Sequence, residues 1–278
     1  MKNAKDVKQT ATHKFLMLGP TGSGKTTQFL TLPGKKFAYL FDPNAKLSLR
    51  GHDVDYEEFL PSDVSLHAVS LTKGKGDPAA PGAASGVYLD WEKDYQKKRD
   101  SGFFLDYKWL MVDSATTFLD IVMDRILTIN GRPGQWPNQD DYGPQMLTFT
   151  KIVRELTANN IGLYFTGHLQ MDQNPASKMW VAQPLMTGRL REKIPLLFSD
   201  IFVTEAYGDA ALGSVSYNMR TAPDRTYQTV RSSFKGWDHA KKEVIGLDLI
   251  EDVTLNFHEP LEMQGLGKIL TWEKEYTG

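Results

Sequence analysis

The chain has 278 residues, 41% of them apolar and 24% charged, with a formal net charge of -2 and no cysteine. This is the balance of an ordinary soluble globular protein, long enough for one large domain or two small ones. It excludes a strongly basic nucleic-acid binder, disulfides, zinc–thiolate sites and thiol catalysis, so any nucleic-acid contact has to come from a local basic patch. Residues 1–13 are polar and hold no apolar run of signal-peptide length, and no run in the chain is long enough to cross a bilayer. The expectation is a soluble, cytoplasmic protein without a membrane partner.

Residues 1–13 read as a tail. Phe15-Leu16-Met17-Leu18 then reads as a short buried strand, and it leads into Gly19-Pro20-Thr21-Gly22-Ser23-Gly24-Lys25-Thr26, which fits G-x-x-x-x-G-K-[ST]. The stretch 25–31 reads as the opening turns of a helix, stopped at Leu32-Pro33-Gly34. Between a strand and a helix, such a glycine-rich loop curls so that successive N–H groups face phosphate oxygens, beside a helix N-terminus that favours negative charge. Gly19, Pro20, Thr21, Gly22, Ser23, Gly24, Lys25, Thr26 and Thr27 are therefore the expected ATP site. Lys25 would reach the β- and γ-phosphates, and the Thr26 hydroxyl would hold Mg²⁺.

A second strand at 36–41 is closed by Asp42-Pro43, and a third is expected at 64–71. A Gly-, Pro- and Ala-rich loop follows at 73–85, and 87–99 is helical with a charged, solvated face. Trp109-Leu110-Met111-Val112 is a buried strand ending in Asp113-Ser114, and apolar residues at helical spacing follow it. A loop at 130–141 leads to a helix at 144–158, a strand at 161–166, a long polar loop at 170–188 and a helix at 189–198. Strands are expected at 200–206, 214–221 and 226–232. Alternation of strands and helices, then β-rich hairpins, predicts an α/β sheet with a β-rich C-terminal extension.

A carboxylate at the end of an apolar strand lies at the same sheet edge as the phosphate loop, where ligands of open α/β sheets collect. Asp113 is thus the expected second Mg²⁺ anchor opposite Thr26; the alternative is a strand-ending Asp that caps the next helix. Hydrolysis also needs a group to orient or deprotonate water and a group to sense the γ-phosphate. Asp42 is placed for the first role, although Asp before Pro is also a common turn residue. His168, just past its strand, is placed for the second, although a lone His there can be structural.

The order of these elements resembles the RecA-like recombinase core. The residues that carry the resemblance are the phosphate loop, Phe41-Asp42, Val112-Asp113-Ser114, the strand leading to His168, Met186-Thr187-Gly188-Arg189-Leu190 and Val230-Arg231-Ser232. The look is that of compact phage-encoded RecA-like ATPases of single-strand annealing and recombination, over residues 14–235, with 236–278 as an extension. The resemblance implies a RecA-like P-loop ATPase fold with ATP and Mg²⁺ as cofactors. It also implies single-stranded DNA as partner, a homo-oligomer in ring or filament form, and a single-strand-binding protein as a further partner. Its two DNA-facing loops would be 130–141, with Arg132 and Trp136, and 170–188 with the start of the next helix, holding Lys178, Trp180, Arg189, Arg191 and Lys193. A cation completing the neighbouring subunit's ATP site would be Arg231. The family usually has a glutamate two residues beyond the Asp42 position; here that residue is Asn44, which cannot accept a proton, so Asp42 takes over or hydrolysis is slow. A small-molecule kinase on the same loop, or an ATP-switched assembly accessory, are the alternatives; no clustered-arginine lid is apparent for the former.

Overall fold

The computed structural model describes residues 12–60, 83–173, 177–209, 211, 213–238 and 243–277. The strand expected at 64–71, most of the loop at 73–85 and nearly all of the N-terminal tail lie outside them. In chain order the elements begin with β1 (Lys14–Leu18), α1 (Lys25–Gln28) running into a 3-10 turn (Phe29–Thr31), β2 (Lys36–Leu40), α2 (Ala45–Leu49) and β3 (Asp55–Glu58). They continue with α3 (Ala83–Asp100), β4 (Trp109–Asp113), α4 (Ala115–Ile129), α5 (Tyr142–Ala158) and β5 (Gly162–Gly167). Then come β6 (Leu169–Gln173), β7 (Trp180–Pro184), α6 (Leu190–Lys193), β8 (Asp200–Asp209) and β9 (Ser214–Arg220). The last are β10 (Lys235–Asp238), β11 (Glu243–Gly246), β12 (Ile250–Asp252) and α7 (Gly265–Thr277).

Eight strands form the main sheet in the order β12-β9-β8-β1-β5-β4-β2-β3. Every pairing from β8 to β3 is parallel, and β9 and β12 extend one edge antiparallel. This is the expected α/β architecture, and its cause is visible strand by strand. β1, β2, β4 and β5 are buried along their whole length, as strands covered on both faces must be. Alternate residues feed opposite layers. Leu16 and Leu18 join the layer under α3, α4 and α5, while Phe15 and Met17 join the layer under the phosphate-loop helix and α7.

Three expectations need correction. The polar loop at 170–188 contains an antiparallel hairpin of β6 and β7, with Gln170 opposite Gln183 and Gln173 opposite Trp180. Its alternation was hidden because β6 is at most half-buried on either face. The strand at 226–232 is reduced to a bridge between Arg231 and Ile201. The amides of Thr226 and Tyr227 are instead taken by the Asp224 carboxylate, both at 2.8 Å, which turns the chain away from a ladder. The extension after 236 is helical as well as β: β12 pairs into the main sheet and α7 packs on the core.

Candidate functional site

Parallel register sets the site. Leu18 pairs with Gly167, Phe165 with Val112, and Leu40 with Asp113, so the C-terminal ends of β1, β5, β4 and β2 share one edge. The phosphate loop leaves β1 there. Gly24 closes it at φ 84, a left-handed conformation suited to glycine, and no side chain caps the N-terminus of α1. The Gly19 and Ser23 amides bond the carbonyls of Gly167 and Pro20, both at 3.3 Å. Among the described residues no protein acceptor meets the amides of Gly22, Gly24, Lys25 or Thr26. A run of backbone donors left over at a helix start fits an anion. Ser23 Oγ braces the loop on β8 through Thr204 Oγ1, 2.8 Å away.

Lys25 is buried, and its Nζ donates to the carbonyls of Gly19 (2.9 Å) and Pro20 (2.8 Å). Burial pulls its pKa below the usual lysine value, against the opposing pull of Asp113 and Asp42. Thr26 Oγ1 donates to Asp113 Oδ2 at 2.7 Å, and Thr166 Oγ1 donates to Asp113 Oδ1. Asp113 is fully buried, and burial raises its carboxyl above the ordinary range against those two hydroxyls. A hydroxyl and a carboxylate side by side are hard oxygen donors of the kind Mg²⁺ takes together with water and phosphate. Among the described residues there is no cluster of three His, Asp or Glu that could hold a metal without such help.

Asp42 stands beside this pair. Its Oδ1 accepts hydrogen bonds from Ser114 Oγ (3.2 Å) and from Thr117 Oγ1 at the start of α4. His168 is half-buried; burial and Lys25 lower its pKa, so the ring is neutral at pH 7, against smaller opposing effects of Asp42, Asp113 and a hydrogen bond to the Gly19 backbone. Its own amide bonds Thr116 Oγ1 at 3.3 Å, and its carbonyl accepts the Leu185 amide at 2.8 Å. Lys25, Thr26, Asp42, Asp113 and His168 therefore converge, with Ser114, Thr117 and Thr166 as supports that sequence reasoning passed over. The hydroxyls at 114, 116 and 117, directly after a strand-end Asp, were the available signal.

Arg231, expected to serve a neighbouring subunit's site, lies apart from this chain's own. Its Nη2 donates to the carbonyls of Pro195 (2.9 Å) and Phe198, where the chain enters β8. β1 and β8 are parallel, so that is the edge opposite the phosphate loop. Arg132 is committed as well: its guanidinium grips both oxygens of the buried Asp141 at 2.5 and 2.6 Å. Burial favours the neutral form of that carboxyl, but the bonds from Arg132, the Asn138 amide and Asn130 outweigh it and lower its pKa. Arg191 bonds Asp172 (2.7 Å) and Gln183 (3.1 Å), tying α6 to the hairpin. Lys178 and Arg189 are exposed and make no side-chain bond among the described residues. Trp136 is 63% exposed and Trp180 56%.

A glycine-rich donor cradle between a buried strand and a helix, with Lys and Thr set against a strand-end carboxylate, defines a P-loop nucleotide-binding ATPase. An AAA domain family model (AAA_24) matches residues 11–229. The chain belongs to that family. Among solved structures it is similar to a KaiC-like protein from Pyrococcus horikoshii OT3, at 13% identity over 85% of this chain and 89% of that one, with a TM-score of 0.35. It is likewise similar to the flagellar accessory protein FlaH from Methanocaldococcus jannaschii, at 12% identity over 87% and 90%, with a TM-score of 0.34. No curated protein matches the chain. Among the described residues no helix is long and apolar enough to cross a membrane.

Proposed function

We propose that this chain is a RecA-like ATPase that binds single-stranded DNA when loaded with ATP, in phage recombination, annealing or replication. Lys25 and the loop amides hold the β- and γ-phosphates, and Thr26 with Asp113 holds Mg²⁺, which supplies charge neutralisation on the phosphates. Asp42, fixed by Ser114 and Thr117, orients the attacking water and accepts its proton. Neutral His168 leaves the Gly19 backbone and donates its single ring N–H to the γ-phosphate.

The observation that carries the reading is the continuity of His168 with the β6–β7 hairpin. The hairpin starts at the next residue, and its far end is bonded back to the His168 carbonyl through Leu185. A shift of His168 toward phosphate is thereby passed to an arm bearing exposed Lys178 and Trp180, a cation and a stacking surface of the kind single strands use. With Arg132 and Arg191 internally paired, the proposed DNA surface narrows to Trp136, Lys178, Trp180 and Arg189. The test is binding of a labelled oligothymidylate with and without a non-hydrolysable ATP analogue, beside ATPase turnover titrated with the same strand. Nucleotide should tighten binding, and Lys25→Ala should remove both nucleotide binding and the tightening; equal affinity in both states defeats the coupling.

A small-molecule kinase remains the second reading, because a cleft of about 790 Å³ opens beside the site, lined by Thr116, Asp120, Tyr142, Thr187 and Arg189 among others. A cleft of that size suits a small acceptor. Turnover that ignores DNA and yields a phosphorylated small molecule in place of free phosphate would select it.

A further inference from the structure

The helix that carries the phosphate loop is short. α1 spans four residues and runs on as a three-residue 3-10 turn, with Pro33 two residues beyond. So brief a helix is not held by its own propagation, and its position is set by what it packs on. From below, the Tyr164 hydroxyl donates to the Lys25 carbonyl at 2.5 Å. From outside it meets α7, whose Leu266, Ile269 and Leu270 share a buried cluster with Phe29 and Leu30.

The polar contacts at this seam are specific. Gln28 is 2% exposed; its Nε2 donates to the Val253 carbonyl at 2.8 Å and its Oε1 accepts the Leu266 amide at 3.3 Å. Thr31 Oγ1 donates to the Gln28 carbonyl at 2.8 Å and accepts the Gly267 amide at 3.1 Å. Both amides lie in the first turn of α7, where no intrahelical acceptor exists. Side chains of the phosphate-loop helix therefore act as the N-terminal caps of the C-terminal helix. The approach requires glycine: a Cβ on Gly267 would overlap the Thr31 carbonyl and stand 2.5 Å from that of Glu262. At the other end, the Gln28 amide bonds the carbonyl of Gly24, the last glycine of the loop, at 3.0 Å. One hydrogen bond thus spans from the phosphate cradle to the residue that caps α7.

We propose that α7 is a built-in effector of the nucleotide site, with Gln28 and Thr31 as the positioning residues that couple them. Phosphate on the loop amides fixes α1, α1 fixes the two caps, and the caps set the stability of the first turn of α7. Linkage makes the effect reciprocal, so whatever displaces or clamps α7 changes nucleotide affinity by the same factor. The inference rests on nucleotide binding at the phosphate loop and is independent of DNA.

Hydrogen exchange on the full chain, with and without saturating Mg·ADP, tests it through peptides covering 19–28 and 264–270. In the wild type both peptides slow, the second by roughly fivefold or more, the low end of coupling between sites. In Gln28→Ala the loop peptide still slows and the response of 264–270 is lost; Thr31→Val serves as the second variant should that one not fold. Protection of the loop with no change at 264–270 in the wild type overturns the coupling and leaves nucleotide binding standing. Absence of protection in both peptides overturns both.

Discussion

Asp113→Asn separates what the site costs from what it does. The carboxyl is fully buried, and burial raises its pKa, with Asp42 adding to the rise while Thr166, Thr26 and Lys25 oppose it. A carboxyl whose pKa is higher folded than unfolded binds its proton more tightly in the native state. Its contribution is complete below the unfolded value and is lost as pH rises through the folded one, so ionised Asp113 is a burden at neutral pH. Asparagine keeps the shape and one acceptor oxygen for one of the two threonine hydroxyls. The substitution loses a hydrogen bond to a charged group, about 1.5–3 kcal/mol, and removes an ion whose burial costs several kcal/mol. The two effects oppose each other, and because the charge removed is the one burial disfavours, the variant should melt no lower than the wild type. The assay is thermal unfolding with and without Mg²⁺ and an ATP analogue. At a hundredfold excess over Kd the wild type gains about 2.7 kcal/mol, a rise of roughly 5–10 °C. The variant should start level or higher and lose most of that rise, with turnover falling about a hundredfold or more. A variant that melts several degrees lower without nucleotide, yet responds fully to it, would refute the reasoning and make Asp113 a structural hub.

His13 predicts a pH dependence far from the site. Its Nδ1 bonds Asp200 at 3.0 Å and its Nε2 bonds Glu273 of α7 at 2.8 Å, and the ring stacks on both Phe15 and Phe234. Burial lowers its pKa, but the two carboxylates more than offset this and raise it to about 9. The rise from 6.5 to about 9 corresponds to about 3 kcal/mol, full below pH 6.5 and lost through pH 9. Melting temperature should fall across that window, and His13→Gln should flatten the profile. Arg231→Ala strands the carbonyls of Pro195 and Phe198, so stability should drop by about 1–3 kcal/mol while turnover per folded molecule stays unchanged; lost turnover at unchanged stability would put Arg231 in a neighbouring subunit's ATP site. Trp180→Ala should weaken single-strand binding in the ATP state by roughly 5- to 100-fold, measured by anisotropy, without moving the melting temperature.

What was legible in the sequence was local. The phosphate loop puts its strand, glycines, lysine and threonine within a dozen residues, and an apolar run ending in Asp113 marks a strand end without knowledge of its neighbours. Charge was far less legible than position, because a sequence shows a cation but not its partner. Arg132 and Arg191 read as free for DNA until Asp141 and Asp172 are seen against them. The first pairing had a signal: Asn138 and Asp141 form a capping box, which commits Asp141 to the loop's interior and calls for a cation there. Arg231 had none, since its acceptors are backbone carbonyls. The caps of α7 are separated from it by more than two hundred residues of chain, and Gly265-Leu266-Gly267 was the one hint that a backbone approaches closely there.

The sheet order explains why His168 lies beside the phosphate loop, although a histidine at a strand end is a weak signal. β5 lies between β1 and β4, so whatever ends β5 stands between the phosphate loop and Asp113. Thr166 takes up the carboxylate from that position, and His168, two residues on, faces Gly19. His168 is the first residue past β5, which ends at Gly167, so it stands at the same ligand edge as the Thr166 hydroxyl. The chain then has no slack before β6 begins at Leu169. A displacement of His168 that kept the hairpin still would have to break the Leu185 amide bond to its carbonyl. Moving both together keeps that bond, which is why the hairpin, more than the loop at 130–141, is where nucleotide state should be felt.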